Sequence, residues 1–288
     1  MAEHKWRRKA ARTGALLAIL YLAAIFGLFF WQRRLLYFPD KLPLNLVLAM
    51  AARCEFEAWQ DGSGQVIGWK QLSKTNGPHN RILITHGNAG SAIDRVDFAR
   101  GLNGAEDCDV YILEYPGYGA RPGAPTQESL FRAADQAMAL LEKDGRVYVI
   151  GESLGTGVAA YIAAGHPQAV AGLLLLAPYH NLGDVAQHHM PIFPAKWMVR
   201  DRFTSAAYLR NYHGPVGVVL AGRDTVVPQQ FGQQLYEAYD GPKRLWQIPL
   251  ATHNDLANRP VEWWKELVAF WKDQAVKIDP PDQRTDSE

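Results

Sequence analysis

Gly151-Glu152-Ser153-Leu154-Gly155 reads G-x-S-x-G, between an apolar run at Val147–Ile150 and a small-residue helical run from Gly157 to Ala164. A strand that turns sharply into a helix lifts one serine above the sheet edge with its hydroxyl exposed and its backbone strained. The flanking glycines have a steric reason, since strand and helix approach so closely at such a turn that a larger side chain would collide. Alone, the pattern also fits a glycine-rich turn without chemistry. Its surroundings decide between the two.

Downstream, Val216–Ala221 is a buried-strand run that ends in Gly222-Arg223-Asp224. Asp224 is therefore expected in a loop just past the C-terminal end of a strand, the edge where open α/β sheets gather their sites. The next strand, Arg244–Ile248, leads to Ala251-Thr252-His253-Asn254-Asp255, which puts His253 in the corresponding loop one strand later. The order serine, acid, histidine is one of those in which acyl-transfer sites are assembled. A neutral imidazole on His253 can take the proton of Ser153, and Asp224 can fix its tautomer. Each loop residue alone could be an ordinary turn aspartate or surface histidine. Asp255 is the rival acid, but it stands too near His253 in sequence to orient the ring easily.

Upstream, the strand Arg81–Thr85 runs into His86-Gly87-Asn88-Ala89-Gly90. An H-G-x-x-G loop there, with the residue after the nucleophile, supplies two backbone N–H groups for an oxyanion. The expected donors are Asn88 and Leu154, and His86 is read as a brace for the loop. His188 and His189 are read as cap residues, because adjacent histidines diverge and no second pair stands at zinc-like spacing. No metal or cofactor is expected. Neither a phosphate-binding G-x-x-x-x-G-K-[ST] loop nor a dinucleotide glycine fingerprint occurs.

The strand candidates are Glu55–Gln60, Val66–Leu72, Arg81–Thr85, Val110–Glu114, Val147–Ile150, Gly172–Leu176, Val216–Ala221 and Arg244–Ile248. Asp61-Gly62-Ser63-Gly64 marks a hairpin between the first two. From Arg81 onward strands alternate with helical patterns, such as Gln127 to Lys143, so the expected fold is α/β with a mostly parallel eight-stranded sheet flanked by helices. Trp263, Trp264, Phe270 and Trp271 are expected to pack a last helix on that sheet. Residues 178–208 break the alternation and are read as a cap over the strand ends, the plainer alternative being a crossover helix with a long loop.

The front of the chain carries an apolar run from Gly14 to Trp31 with no charge in it. As a helix it would span roughly 27 Å, close to the hydrocarbon thickness of a bilayer. Lys5, Arg7, Arg8, Lys9 and Arg12 precede it, and Arg33 and Arg34 follow. The bulky, charged residues after the run disfavour signal cleavage. The expectation is an uncleaved single-pass anchor that meets the lipid bilayer, its N-terminus cytoplasmic and the rest of the chain extracytoplasmic, periplasmic or lumenal. The organisation expected is a basic N-terminus at 1–13, an anchor at 14–31, a linker at 32–54, one α/β domain at 55–278 and a frayed polar tail at 279–288. A formal net charge of +1 gives no reason to expect nucleic acid. Cys54 and Cys108 permit one disulfide without requiring it.

Taken with Leu35-Leu36-Tyr37-Phe38-Pro39, Tyr115-Pro116-Gly117-Tyr118-Gly119 and Arg200-Asp201-Arg202-Phe203, these loops make the chain resemble the α/β-hydrolases. The resemblance is strongest to the membrane-anchored group that includes Bem46-like proteins and the eukaryotic protein depalmitoylases. It implies the α/β-hydrolase fold and serine-hydrolase activity on an acyl ester or thioester, possible lipid-like substrates included, with Ser153, Asp224 and His253 in the triad positions. Glu152 before the serine and Thr156 after the elbow depart from residues common in the group. Two other functions fit the same fold, a serine peptidase and a non-catalytic anchored binding module.

Overall fold

Eight strands form one sheet: β1 (Glu57–Gln60), β2 (Val66–Gln71), β3 (Asn80–Thr85), β4 (Cys108–Leu113), β5 (Val147–Glu152), β6 (Val170–Leu176), β7 (Val216–Ala221) and β8 (Lys243–Ile248). Their spatial order is β8-β7-β6-β5-β3-β4-β2-β1. The computed structural model describes residues 2–76 and 79–278, so the tail expected at 279–288 lies outside the described residues. From β3 to β8 every pairing is parallel, while β2 runs antiparallel to both β1 and β4.

The central strands are buried on both faces, which is why they read as unbroken apolar runs rather than alternating ones. Successive residues still serve opposite layers. Leu173 and Leu175 pack with the helices α4 (Gln127–Leu141), α5 (Leu154–Gly165) and α9 (Gln229–Ala238), whereas Leu174 and Leu176 pack with α3 (Val96–Ala105) and α10 (Val261–Ile278). The tryptophans of α10 act as expected, with Trp264 and Trp271 fully buried and Trp271 Nε1 donating to Leu173 O at 3.1 Å. Between β1 and β2, Asp61 Oδ1 accepts the amides of Ser63 and Gln65, and Gly64 takes the positive φ of 82° that the hairpin needs.

Several boundaries differ from those read in the sequence. The first strand starts at Glu57, because Glu55 adopts φ 61° to close the helix α2 (Leu44–Arg53) and Phe56 N bonds back to Ala51 O at 2.9 Å. The supposed linker at 32–54 is thus partly helical, and Val47 and Ala51 of α2 are buried in the same core as Trp69 and Phe98. Strands β3, β5, β6 and β8 each run one or more residues beyond the bounds read in the sequence, β4 begins at Cys108 but stops at Leu113, short of Glu114, and β2 stops at Gln71, short of Leu72, because ladder pairing sets the strand ends.

At the front, α1 (Ala2–Leu36) is a single helix of 35 residues, longer than the apolar run at both ends. Lys, Arg and Ala before Gly14 are good helix formers and nothing there breaks the turn. Its length and composition suffice to cross a membrane. After it, Phe38 and Pro39 pair in parallel with Ala89 and Gly90. The segment between β6 and β7, read above as a cap, comprises α6 (Leu182–His189), α7 (Ala195–Met198) and α8 (Ser205–Leu209).

Candidate active site

The turn from β5 into α5 carries Ser153 at φ 50°, ψ −117°, a conformation that costs an L-residue of order 1–3 kcal/mol. Its surroundings hold it there. Ser153 N donates to Leu176 O on the neighbouring strand at 2.9 Å, and Ser153 O accepts from Thr156 N at 2.9 Å and Thr156 Oγ1 at 2.6 Å. Thr156 therefore clamps the strained carbonyl. The elbow glycines are required by contact. A methyl on Gly155 would collide with the carbonyl oxygens of Thr85 and His86 at the end of β3, and one on Gly151 would lie 2.7 Å from Thr156 Cα.

Three side chains from three loops meet above this edge. His253 Nε2 is 2.9 Å from Ser153 Oγ, and His253 Nδ1 is 2.7 Å from Asp224 Oδ2. The other carboxylate oxygen of Asp224 accepts the backbone amides of Val226 and Val227, each at 2.8 Å. Asp224 is an obligate acceptor when ionised, so Nδ1 carries the imidazole proton and Nε2 is left to accept from the serine hydroxyl. The carboxylate side chain is 1% exposed and the imidazole 12%. In such surroundings a hydrogen-bonded charge is stronger than in water.

The rival acid is engaged elsewhere. Asp255 Oδ2 accepts from Thr252 Oγ1 at 2.6 Å and Thr252 N at 2.8 Å, and these bonds, the hydroxyl's first, hold its carboxyl below the usual range. It shapes the turn that presents His253. His86 braces its loop, as read: it is buried, Nδ1 lies 2.8 Å from Gly87 O, and its ring packs on Tyr115 at a centroid distance of 4.1 Å.

Asn88 and Leu154, the expected oxyanion donors, both line a cavity of about 450 Å³ that Ser153 also faces. Leu154 is the first residue of α5, where helix geometry leaves N–H groups without an internal partner. The Gly87 backbone lies against the elbow, since a methyl there would fall 3.6 Å from Ser153 Cβ. Asn88 O accepts from Phe38 N at 2.8 Å and Tyr118 Oη at 2.7 Å, and Asn88 Nδ2 donates to Leu36 O at 2.9 Å. The loop is thus tied to the end of α1.

Two contributions escaped sequence reasoning. Arg95 Nε donates to Glu152 Oε2 at 2.6 Å and Arg95 Nη2 to Ala89 O at 3.3 Å, joining the elbow to the His86–Gly90 loop. Glu152 was visible only as a departure from a family pattern. The second is α1 itself, whose Leu28, Leu35 and Leu36 line the cavity opposite Met190, Phe193 and Met198 of the cap. His189 also lines it and its Nε2 sits 2.8 Å from Val226 O, while no cluster of three His, Cys, Asp or Glu residues suited to a metal occurs among the described residues.

Comparison with known proteins agrees with this architecture. A family model described as the alpha/beta hydrolase fold matches residues 80–267. An uncharacterised protein of Mycobacterium tuberculosis is 31% identical over 256 residues, covering 86% of this chain and 90% of that one. The alpha/beta hydrolase domain-containing protein 17B of Homo sapiens is 28% identical over 182 residues, 61% of this chain and 60% of its own length. Among solved structures, the ferulic-acid complex of Est1E from Butyrivibrio proteoclasticus superposes with a TM-score of 0.63 at 18% identity, over 76% of this chain and 99% of that one. An esterase of Pyrococcus furiosus gives 0.61, also at 18% identity, over 83% and 98%. At these identities the structural likeness is one of fold.

Proposed function

The chain belongs to the α/β-hydrolase family, and from that premise we propose that it is a membrane-anchored serine hydrolase of carboxylic esters or thioesters. The observation that carries the reading is the hydrogen-bonded chain Asp224–His253–Ser153 at the mouth of an apolar cavity.

Ser153 Oγ attacks the acyl carbon while its proton passes to His253 Nε2, and Asp224 stabilises the imidazolium that forms. The negative charge moves to the carbonyl oxygen, where the amides of Asn88 and Leu154 receive it; one such donor supplies about 3–4 kcal/mol. Collapse of the tetrahedral species returns the proton to the departing oxygen or sulfur and leaves an acyl group on Ser153. A water that gives its proton to His253 then attacks the acyl-enzyme, and the serine is regenerated. Every step uses side chains and backbone amides of this protein and water.

The anchor belongs to the same reading. The apolar run at 14–31 would cross the bilayer, with the basic residues before it on the cytoplasmic side and the hydrolase domain opposite.

A fluorophosphonate probe tests the nucleophile: it is expected to label the wild type at Ser153 and to leave Ser153→Ala unlabelled. An unlabelled wild type would retire the enzyme reading in favour of a binding module. Matched p-nitrophenyl ester and aminoacyl-anilide assays separate an esterase from a peptidase, and anilide turnover equal to the ester's would reverse the assignment.

A further inference from the structure

The cap lies along α1 in a fixed register. Tyr21 Oη donates to Ile192 O at 2.7 Å, and the Tyr21 ring stacks on Phe193 with centroids 5.7 Å apart. Near the other end, Gln32 Nε2 donates to Met198 O at 3.2 Å and Gln32 Oε1 accepts from Arg200 N at 2.7 Å. Arg33 then pairs with Asp201 through bonds of 2.9 and 3.0 Å. Cap residues 192–201 therefore run beside helix residues 21–33, and their chemistry changes along the way. Ile192 is 72% exposed and Trp197 74%, Lys196 between them pairs its ammonium with Asp184, and Arg200 and Arg202 sit at the charged end.

From Tyr21 to Trp31 the helix rises about 15 Å. A hydrocarbon core is about 30 Å thick, so an anchor at 14–31 puts Tyr21 near mid-depth and carries the cap loop down with it. Backbone in hydrocarbon has to find its hydrogen bonds internally. This loop does so. Met190 O accepts from Phe193 N, Ile192 O from Tyr21 Oη, Phe193 O from Gln187 Nε2 and Pro194 O from Trp197 N. Pro191 and Pro194 bring no N–H to satisfy. Ile192 and Trp197 stand on the outer side of the loop.

Resting on the anchored serine-hydrolase reading, we infer that the loop 190–197 is immersed in the bilayer beside α1, and that the substrate is a long-chain acyl ester or thioester already dissolved in that leaflet. Its acyl chain enters from the membrane side and lies between α1 and the cap. Leu35 and Leu36 flank the end of the cavity near Ser153, and Leu28 lies about 12 Å further along the helix. Leu28 is thereby a residue that sets acyl-chain length, and the anchor is one wall of the binding site.

The test uses the full chain in phosphatidylcholine vesicles. A nitrobenzoxadiazole label on Ile192→Cys, in a Cys54→Ser background, is expected to be quenched by brominated lipid and protected from aqueous iodide. The same label on Arg132→Cys, on the exposed side of α4, is expected to behave oppositely. Equal iodide quenching at the two positions overturns the immersion. Leu28→Trp is expected to lower the ratio of turnover on a vesicle-dissolved long-chain ester to turnover on p-nitrophenyl acetate by about tenfold or more. Fluorophosphonate labelling of Ser153 reports that the variant is folded; should it fail, Leu28→Phe serves in its place. An unchanged ratio in a labelled variant overturns the entry route and leaves the serine-hydrolase reading standing. A wild type that takes no label overturns both.

Discussion

His253 Nε2 lies 2.9 Å from Ser153 Oγ across a separation of 100 residues in sequence. The bond is useful to catalysis only in one tautomer, and the tautomer is set on the opposite side of the ring. Asp224 Oδ1 is fixed by two backbone amides, leaving Oδ2 to face His253 Nδ1. In Asp224→Asn the amide oxygen would keep the two backbone donors, so its NH₂ would point at Nδ1. The ring would then carry its proton on Nε2 and could not accept from the serine. The expected loss in kcat is about 10⁴-fold with little change in KM, as for the same change in a serine protease. Steady-state kinetics on a p-nitrophenyl ester measure it, and a loss below tenfold would mean that Asp224 does not control the ring.

Removing the nucleophile should separate chemistry from folding. Ser153→Ala is expected to lower kcat by about 10⁶-fold, the scale of the equivalent change in subtilisin. The strain at φ 50° belongs to the backbone and persists, while one hydrogen bond worth about 1 kcal/mol disappears. Thermal unfolding should therefore shift by only a few degrees. A large fall in Tm would show that the hydroxyl holds the elbow together, a role the geometry assigns to Thr156.

Two glycines at opposite ends of α5 should respond differently to the same substitution. A methyl at Gly155 runs into the backbone carbonyls of Thr85, the last residue of a central strand, and of His86 just after it, whereas a methyl at Gly165 meets nothing within 4 Å. Gly155→Ala is expected to destabilise by about 1–3 kcal/mol and to displace the elbow, lowering activity as well. Gly165→Ala is expected to leave urea-unfolding midpoints unchanged or slightly raised. Equal effects at the two sites would contradict the close strand–helix contact.

The pair Arg95–Glu152 offers a test of positioning. Arg95 and Glu152 are 16% and 19% exposed, so their attraction is only partly screened, and Arg95 also reaches Ala89 O in the oxyanion loop. Without Arg95 the loop carrying Asn88 would lose its tie to Glu152 of the elbow, and a shift of about 1 Å can cost about 10²-fold in rate. Arg95→Ala is expected to lower kcat within that range, with KM for a short ester nearly constant. Arg95→Lys should recover little, because an ammonium cannot span both acceptors. A fall confined to Tm would assign the pair to structure alone.

Much of this site could be read in the sequence because its parts sit in loops whose strands announce themselves. The buried parallel strand Val216–Ala221 is apolar throughout, so its C-terminal loop and Asp224 could be located without coordinates, while His253 follows the half-exposed edge strand β8, whose alternating residues mark it less plainly. The helix α2 was missed because its signal, Val47 and Ala51 one turn apart, is short and lies beside a proline. The docking of the cap on α1 was illegible for a different reason. Tyr21 and Ile192 are 171 residues apart, and no local periodicity encodes which surface a tyrosine in an apolar helix will meet. Glu152 and Arg95 carried no pattern either, since an ion pair 57 residues apart leaves no mark at either position.

Cysteine chemistry and alkaline stability test the core. Cys54 is exposed and Cys108 buried, and both are free thiols. Burial first, then the nearby carboxylates of Glu106, Asp107 and Asp109, push the Cys108 thiol from 9.0 up to about 12, and burial raises the phenols of Tyr115 and Tyr212 well above 10.0. These groups stay protonated in the folded chain at pH values where the unfolded chain has already released its protons. Stability is therefore fully present below about pH 9 and is lost as pH rises through the window from 9.0 to about 12. Urea titrations at stepped pH should show a plateau followed by this decline, and Cys108→Ala should soften its onset. Ellman's reagent at pH 8 should find one fast thiol, Cys54, with the second reacting only as the protein unfolds. Two fast thiols would mean that β4 does not bury Cys108 as described, and the alkaline argument would lose its first titrating group.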